Sequence, residues 1–466
     1  MAKLPSSTLV DIQINLIGAA ASIDGFGVPM IIDTENVLAA ASPTAPVLKT
    51  CYNMQDLAGF GFKPYHKAYK LAAALEGQTQ RVKSFKVASV SALSSTSLSA
   101  VESADGVWYA LLLTSRSAAD ITTVDTWVET VAARRHLFFA ESQEAAAFTG
   151  APSVVTSLES SNSLRTSVFA RKANAQQVSL TISNAFVAAN SVTVKLNGTS
   201  IAAPVVFAAD SDSTLTALAV AIAAVSGGAI CSAAVTPIIG STSNDRTIVL
   251  TALDPLVDLV LSDYSCTLGA SQNTASFATV NVGAGACDAA LAGKLIPQGL
   301  GQSTAHGKTL TGPSTDDLST SEYTNVTTHG GNVYVTIGGI NQVQRGQTSG
   351  FVAAGQHAFV DTVAMRDRLE SDVQAAVLAV LAPQVGKLPF NNAGIAAVAG
   401  AAITVCNKYV ALGMLEPFTV ANSWTIPDIS EVPSADKTAR HLPGIIGNLQ
   451  GTGAIQSVSL TLNIAV

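Results

Sequence analysis

Charge is scarce in this sequence. Asp, Glu, Lys and Arg make up 12% of its 466 residues, about half the share of an ordinary globular chain. Aromatic residues are few as well, at 6%. Basic charge is not in excess: 25 Lys and Arg face 32 Asp and Glu, for a formal net charge of −7. A nucleic-acid-binding face needs clustered Lys and Arg, so that class of partner is not expected. No apolar run reaches the roughly 20 residues that span a bilayer. The best stretch, from Ala393 to Cys406, is too short and contains Gly394 and Gly400, so direct membrane insertion is not expected either. Near the start, Lys3 is followed by Pro5 and a period-two pattern rather than an apolar signal core, which predicts synthesis in the cytosol. The five cysteines, Cys51, Cys231, Cys266, Cys287 and Cys406, form no CxxC pair and are odd in number. Scattered buried thiols are expected rather than disulfides or a metal cluster.

Hydrophobic residues make up 48% of the chain, and the mean hydropathy is +0.38. The length suffices for several domains and a large core. A single soluble domain has trouble covering itself with so few charges. Two readings follow: an Ala- and Ser-rich surface that is polar but uncharged, or a subunit that hides much of its surface in an assembly.

Both ends of the chain alternate with period two. Val10, Ile12, Ile14 and Leu16 alternate with Asp11, Gln13 and Asn15. Val458, Leu460, Leu462, Ile464 and Val466 alternate with Ser459, Thr461, Asn463 and Ala465. Each pattern predicts a strand with one apolar face. Neither carries the charge or proline that usually guards an exposed edge.

Between them, "PMIIDT" predicts a short buried strand. "KPYHKAYKLAAALEGQ" predicts a helix with Tyr65, Tyr69, Ala72 and Ala73 on one side. At 108–140 a strand, a helix with Ile121, Val124, Val128 and Val131 at helical spacing, and a second strand form a βαβ unit, which implies parallel pairing. From 176 to 282 the texture changes to Ser, Thr, Ala and Val. Asn197-Gly198 marks a hairpin. Asp212 or Ser213 caps a helix bearing Leu215, Leu218, Ile222 and Val225, and Gly227-Gly228 stops it. The module reads as strand–strand–helix–strand–strand and as an insertion into the α/β layer. Beyond 330 come a strand pair, "NVYVTIGGINQVQRG", and a helix with the stripe Met365, Leu369, Val373, Val377 and Val380. A second, buried helix stops at Gly413, and "SWTIPDIS" predicts a short strand.

No catalytic constellation emerges. "GQSTAHGKT" has five residues between Gly301 and Gly307 where a phosphate-binding loop needs four before its Gly-Lys-Thr. The six histidines, at 66, 136, 306, 329, 357 and 441, lack the spacing of a helical zinc site, and the GxSxG elbow is absent. Asp316-Asp317 reads as a solvated turn, and Asp210 and Asp212 as helix-start residues. No cofactor, no metal and no enzymatic activity are expected.

The order of several fragments resembles the tail sheath proteins of contractile bacteriophage tails and related phage-like particles. They are "FGVPMIIDT", "YHKAYKLAAALEGQTQRVKSFKV", "WYALLLTSRSAADI", "AGKLIPQGLG", "NVYVTIGGI", "LPFNNAGIAAV" and "ADKTARHLPGI". The resemblance covers most of 1–175 and 285–466 and departs at 176–282. It implies an α+β multidomain fold: a sheath-like core with extended terminal β-strand arms, an α/β outer domain and a small inserted ββαββ domain. The implied layout is an arm at 1–20, an α/β sheath domain at 21–175 and 283–345, the insertion at 176–282, and a C-terminal core domain at 346–466. It implies a structural subunit that stacks in hexameric rings around an inner tube and contracts to drive that tube through an envelope. The implied partners are further copies, the tail tube protein, and baseplate and tail terminator proteins; the implied location is the virion tail or a phage-like particle. In such a particle the terminal strands, Val10, Ile12, Ile14, Leu16, Val458, Leu460, Leu462 and Ile464, add to neighbours' sheets. Arg366, Arg368 and Lys408 are then candidates to face the tube. The alternative is a surface protein whose inserted module recognises a ligand or host envelope component.

Overall fold

The computed structural model describes residues 25–172, 175–237, 246–267, 273–281, 283, 285–299, 301–353, 356–381 and 387–456. The two terminal segments expected to form arms, with Val10, Ile12, Ile14 and Leu16 in one and Val458, Leu460, Leu462 and Ile464 in the other, lie outside the described residues. The fold is mixed α/β, with several sheets and thirteen α-helices among the described residues.

The first half is built on a six-stranded sheet. Its strands are β1 (Pro29–Asp33), β2 (Val47–Cys51), β3 (Phe85–Ser89), β4 (Ala110–Leu113), β5 (Leu137–Ser142) and β6 (Thr166–Ala170). Their spatial order is β2-β3-β1-β4-β5-β6. Neighbours pair in parallel, except that β2 runs antiparallel to β3. Parallel strands need crossovers. The helices of this half are α1 (Met54–Gly59), α2 (Lys67–Glu76), α3 (Ser95–Ala104), α4 (Ala118–Thr130), α5 (Ala146–Thr149) and α6 (Val154–Ser160). The β4–α4–β5 unit expected at 108–140 is present, with Ala110 opposite Leu137 in parallel. A sheet covered on both faces reads as unbroken apolar runs, yet its side chains still alternate. Ile31, Val87, Leu112, Phe139 and Phe169 enter one core with α1 and α2. Met30, Ile32, Ala88, Leu111, Phe138 and Val168 enter another with α3, α4 and α6.

Two helix faces differ from expectation. On α2 the buried side is Ala68, Leu71, Ala72 and Leu75, with Tyr69 half-buried against the same core, while Ala73 is exposed. The leucines bury apolar area without a hydroxyl to satisfy, so they set the face. On α4, Ile121, Val124 and Val128 are buried, but Val131 lies past the helix end and is exposed.

The region from 176 onward forms β7 (Gln177–Ile182), β8 (Ser191–Leu196), β9 (Thr199–Ser200), β10 (Val205–Val206), α7 (Ser211–Ala223), β11 (Cys231–Pro237), β12 (Arg246–Ala252), β13 (Leu261–Thr267) and β14 (Ala275–Asn281). Two four-stranded sheets result, β10-β8-β13 with β9 on β8, and β11-β12-β7-β14. They and α7 enclose a core that includes Val178, Leu180, Val192, Leu218, Ile222, Ile248 and Leu250. Asn197 and Gly198 turn β8 into β9 with positive φ angles of 49° and 78°. The cap of α7 is Asp210, whose side chain accepts from the Ser213 amide, in place of Asp212 or Ser213. The region holds more strands than the two pairs expected. In β11 and β14, Ser, Thr and Ala alternate with few large apolar residues, so periodicity does not mark them. The region is also docked. Fully buried Leu256 belongs to the core beneath the main sheet. Lys67 and Lys70 of α2 pair with Asp254 and Asp258, each at 2.5 Å.

Helix α8 (Cys287–Leu295) packs its alanines into that same core. Gly293 meets the Leu75 backbone so closely that an added Cβ would lie 2.2 Å from its carbonyl oxygen. After α9 (Thr320–Thr328) come two hairpins, β15 (Val333–Ile337) with β16 (Ile340–Gln344), and β17 (Gln347–Ala353) with β18 (Gln356–Phe359). The second hairpin runs directly into α10 (Val360–Leu381), and α11 (Asn392–Ala411) follows. The rest holds short elements: α12 (Val420–Ser423), β19 (Trp424–Thr425), α13 (Ser434–Ala439) and β20 (Ile446–Gly447). The strand expected at "SWTIPDIS" shrinks to Trp424–Thr425, because Pro427 cannot donate to a ladder.

Candidate assembly interface and its charged anchor

Helix α10 buries two different faces. Met365, Leu369, Val373 and Val377 pack with Ala402, Cys406 and Tyr409 of α11 in a small apolar core. A second face carries charge inward. Three adjacent parallel strands place donors at their N-terminal ends: Tyr109 precedes β4, Arg135 precedes β5 by two residues, and Arg165 precedes β6. All three converge on one carboxylate, Asp367. Tyr109 Oη donates to Oδ2 at 2.9 Å, Arg135 to Oδ1 at 3.2 Å, and Arg165 donates to both oxygens at 2.7 and 2.9 Å. Burial alone would raise the Asp367 carboxyl, but the guanidiniums of Arg165, Arg366 and Arg135 hold it at about 2. It stays charged and multiply bonded, as a buried ion must.

The neighbouring carboxylates are less well served. Glu370 lies 2.7 Å from Arg135, yet burial pushes it up to about 7. Glu129 accepts from the Arg165 amide, and burial pushes it to about 7 as well. Gln374, one turn beyond Glu370, is fully buried with both amide atoms unpartnered. The anchor is thus saturated at Asp367 and under-satisfied further along α10.

This placement revises one expectation. Arg366 is 6% exposed and lies 3.4 Å from Asp367, so it belongs to the subunit's own anchor and not to an outward surface. Arg368 is half-buried, and Lys408 is exposed, 3.4 Å from Asp372. The sequence places Arg366 and Arg368 on α10 but gives no pointer on that helix to Tyr109, Arg135 and Arg165 as partners of Asp367. A polar residue abutting the start of each buried strand was the available signal.

A second charged cluster sits at the opposite ends of the same strands. Arg116 grips Asp288 of α8 at 2.5 and 2.9 Å. Arg171 pairs with Asp316 at 2.8 Å and also meets the Cys287 thiol. Glu141 accepts from the Cys287 amide at 2.8 Å. Burial drives the Cys287 thiol well above its ordinary range. Asp316, read from sequence as a solvated turn, is 9% exposed and ion-paired; the distant Arg171 is the reason, and no local pattern marks it. At the end of β1, Asp33 accepts from Ser89 Oγ at 2.5 Å and from the amides of Glu35 and Val37. In open α/β sheets this carboxyl edge is where ligands bind. Here the edge groups bind one another. Among the described residues, no group of three or more His, Cys, Asp or Glu side chains is placed to hold a metal.

Helix α11 shows the reverse of α10. By length and composition it could cross a membrane, yet only 33% of its most apolar window is buried. It is longer than the uninterrupted apolar run because Asn407 and Lys408 lie within it. Asn391 caps it through the Gly394 amide. Ala393, Ala396 and Ala397 are exposed, and Val398, Ala401 and Ile403 half-buried. Phe390 and Leu412, just before and just after it in the chain, are exposed, as are Val420, Ile426, Ile446 and Ile455 further along. The outward side of α11 is therefore lined by small apolar residues, which makes it a candidate surface for contact with another molecule.

No family model matches the sequence, and no curated protein matches it. Solved structures do. A chain of the sixfold-symmetrised baseplate of the anti-feeding prophage aligns over 98% of this chain and 99% of its own, at 11% identity and a TM-score of 0.52. A chain of the PVC sheath complex, an extracellular contractile injection system in its contracted state, aligns over 100% and 99%, at 11% identity and a TM-score of 0.48. At these identities the likeness is one of fold.

Proposed function

We propose that this chain is a structural subunit of a contractile particle and, within that class, a sheath subunit. Copies stack as rings, six to a ring, around an inner tube, and contraction drives the tube through a target envelope. The observation that carries the structural-subunit part of this reading is the end-to-end fold likeness to a chain of the anti-feeding prophage baseplate; the sheath role within that class rests on the order of the sequence fragments from "FGVPMIIDT" to "ADKTARHLPGI". The apolar surface left open on α11 supports it, since a subunit completed by neighbours needs such a surface. In this reading the arm at 1–20 and the strand with Val458, Leu460, Leu462 and Ile464 pair with neighbouring subunits, the 346–466 region forms the inner wall, and Arg368 and Lys408 face the tube. The region 176–282 lies outside. Electron microscopy of the purified protein tests it: tubes or stacked rings are expected, and dispersed monomers under assembly conditions would overturn it. A baseplate role is the second reading, favoured by the identity of the aligned assembly; closed single rings that never extend into tubes would select it.

A further inference from the structure

The inserted region leaves a strand edge open on each side of one sheet. Among the described residues, no strand pairs with the far side of β11 or of β14 in the order β11-β12-β7-β14. Each strand is seven residues long and carries no charged side chain. Backbone bonds fix which groups face outward. Ser183 donates to the Thr274 carbonyl at 3.0 Å, and Leu253 to the Ile230 carbonyl at 2.9 Å. Antiparallel pairing alternates. Thr274, Ser276 and Ala278 therefore bond β7, while Ala275, Phe277 and Thr279 turn their amides and carbonyls away from the sheet. On β11 the outward residues are Cys231, Ala233 and Val235. A bulge after Thr279 ends the first edge, and Pro237, which lacks an amide, ends the second. The edge strand β13 of the other sheet is different: it holds the charged Asp263 within a bulge, a usual guard against pairing. β14 also overhangs its own core. Every residue from Ser276 to Val280 is exposed, Phe277 by 40% and Val280 by 57%.

We propose that β14 of one copy adds to β11 of a second copy, joining their sheets head to tail. The occupant is a second copy because the two edges fit each other. Each offers three outward residues. All neighbours in the sheet are antiparallel, so β14 runs opposite to β11. A copy set alongside in the same sense continues that alternation. Outward residues pair with outward residues, and full overlap of the two edges sets Phe277 opposite Ala233. The large ring then lies beside a small side chain, on the core face of β11 that α7 lines. Because the two edges differ, the contact repeats from copy to copy and closes into a ring or runs on as a filament. It gives 176–282 an assembly contact of its own and does not rest on the sheath reading.

The test uses the full-length Ser276→Cys/Ala234→Cys variant. In the overlap these positions form a non-hydrogen-bonded pair with Cα atoms about 4.5 Å apart, within the span of a disulfide. Within one chain they lie three strand spacings apart, about 14 Å, so only an intermolecular bond can form. Both positions are exposed, and the five native cysteines are buried. Mild oxidation should give a ladder of dimers, trimers and longer species on a denaturing gel, and neither single variant should. Absence of the ladder would overturn the proposal. So would a dimer from Ser276→Cys alone, which would mean twofold pairing of β14 with β14. Adding Phe277→Lys puts a charge on the edge and should cut the ladder about tenfold with circular dichroism unchanged; an undiminished ladder would also overturn it. Should the double variant not fold, Ala278→Cys/Ser232→Cys is the equivalent pair. Tubes that form without a ladder would overturn this contact and leave the sheath reading standing; a ladder without tubes would do the opposite.

Discussion

Helices α10 and α11 lie against each other and treat their side chains in opposite ways. The first takes Arg366, Asp367 and Glu370 into the interior; the second leaves Ala393, Ala396 and Ala397 outside. Burying charge is costly unless every group is paired. Exposing apolar area forgoes roughly 25 cal/mol per Å². Neither helix makes sense as an isolated amphipathic rod. The first is completed by its own chain, through three strand ends that converge on Asp367. The second is half completed by α10, and its remaining face fits completion by another molecule. The difference separates what folding specifies from what assembly would specify.

The sharpest way to break this contrast is at Asp367. Replacing it with Ala leaves Arg135, Arg165 and Arg366 gathered without their shared counter-ion. Removing one member of a buried pair typically costs about 3–5 kcal/mol. Thermal unfolding of Asp367→Ala should show a loss of this order. A melting temperature near the native value would mean that the anchor is hydrated and weak.

Leu256 gives the apolar counterpart, a contact that the chain completes for itself. Leu256→Ala should cost about 2–5 kcal/mol, as cavity-forming core substitutions do. It also bears on the inserted region. Replacing 176–282 by a short linker removes this side chain from the main core, so the subunit should lose stability even if the region is peripheral to assembly. An unchanged unfolding midpoint in Leu256→Ala would show the region is only loosely attached.

The anchor should also respond to pH. Glu370 and Glu129 are raised to about 7 by burial. The folded protein therefore holds their protons more tightly than the unfolded chain does. Their contribution is complete below the ordinary carboxylate range and is lost as pH rises through about 7. Asp367 has the opposite sign: held at about 2, its contribution is present above the ordinary range and disappears only in strong acid. The melting temperature should rise from pH 8 to pH 5.5, and Glu370→Gln should flatten that rise. An unaltered slope in Glu370→Gln would remove this residue from the account.

Much of the fold was legible because local chemistry and tertiary context agree there. The β4–α4–β5 unit announces itself through two buried strands flanking a helix with Ile121, Val124 and Val128 at regular spacing. The Asn197-Gly198 turn is dictated by the need for two positive φ angles. What was not legible is long-range. Nothing near Asp316 points to Arg171, and nothing near Asp367 points to Tyr109, because parallel strands bring together residues far apart in sequence. The outward apolar face of α11 looks identical, in sequence, to a face buried inside one chain. Composition says how much apolar surface exists, but only the packing partners say where it goes.

The smallest expected effect on stability is on that face, and it sharpens the contrast most. Ala397 is exposed on α11, so Ala397→Glu should shift unfolding by no more than about 0.5 kcal/mol. If the face is covered in an assembly, the same change buries an unpaired carboxylate at every repeat. Polymer formation should then fail while the subunit stays folded. Lys408→Glu offers a milder companion. Its pair with Asp372 is exposed and 3.4 Å long, so losing it costs about 0–1 kcal/mol, yet reversing the charge around a ring would multiply any repulsion from an acidic tube. Sedimentation separates subunit from polymer, and co-purification reports on the tube. Normal polymers from Ala397→Glu would mean that α11 faces solvent in the particle. The open surface would then have to be assigned to the region around Ile446 and Ile455 instead.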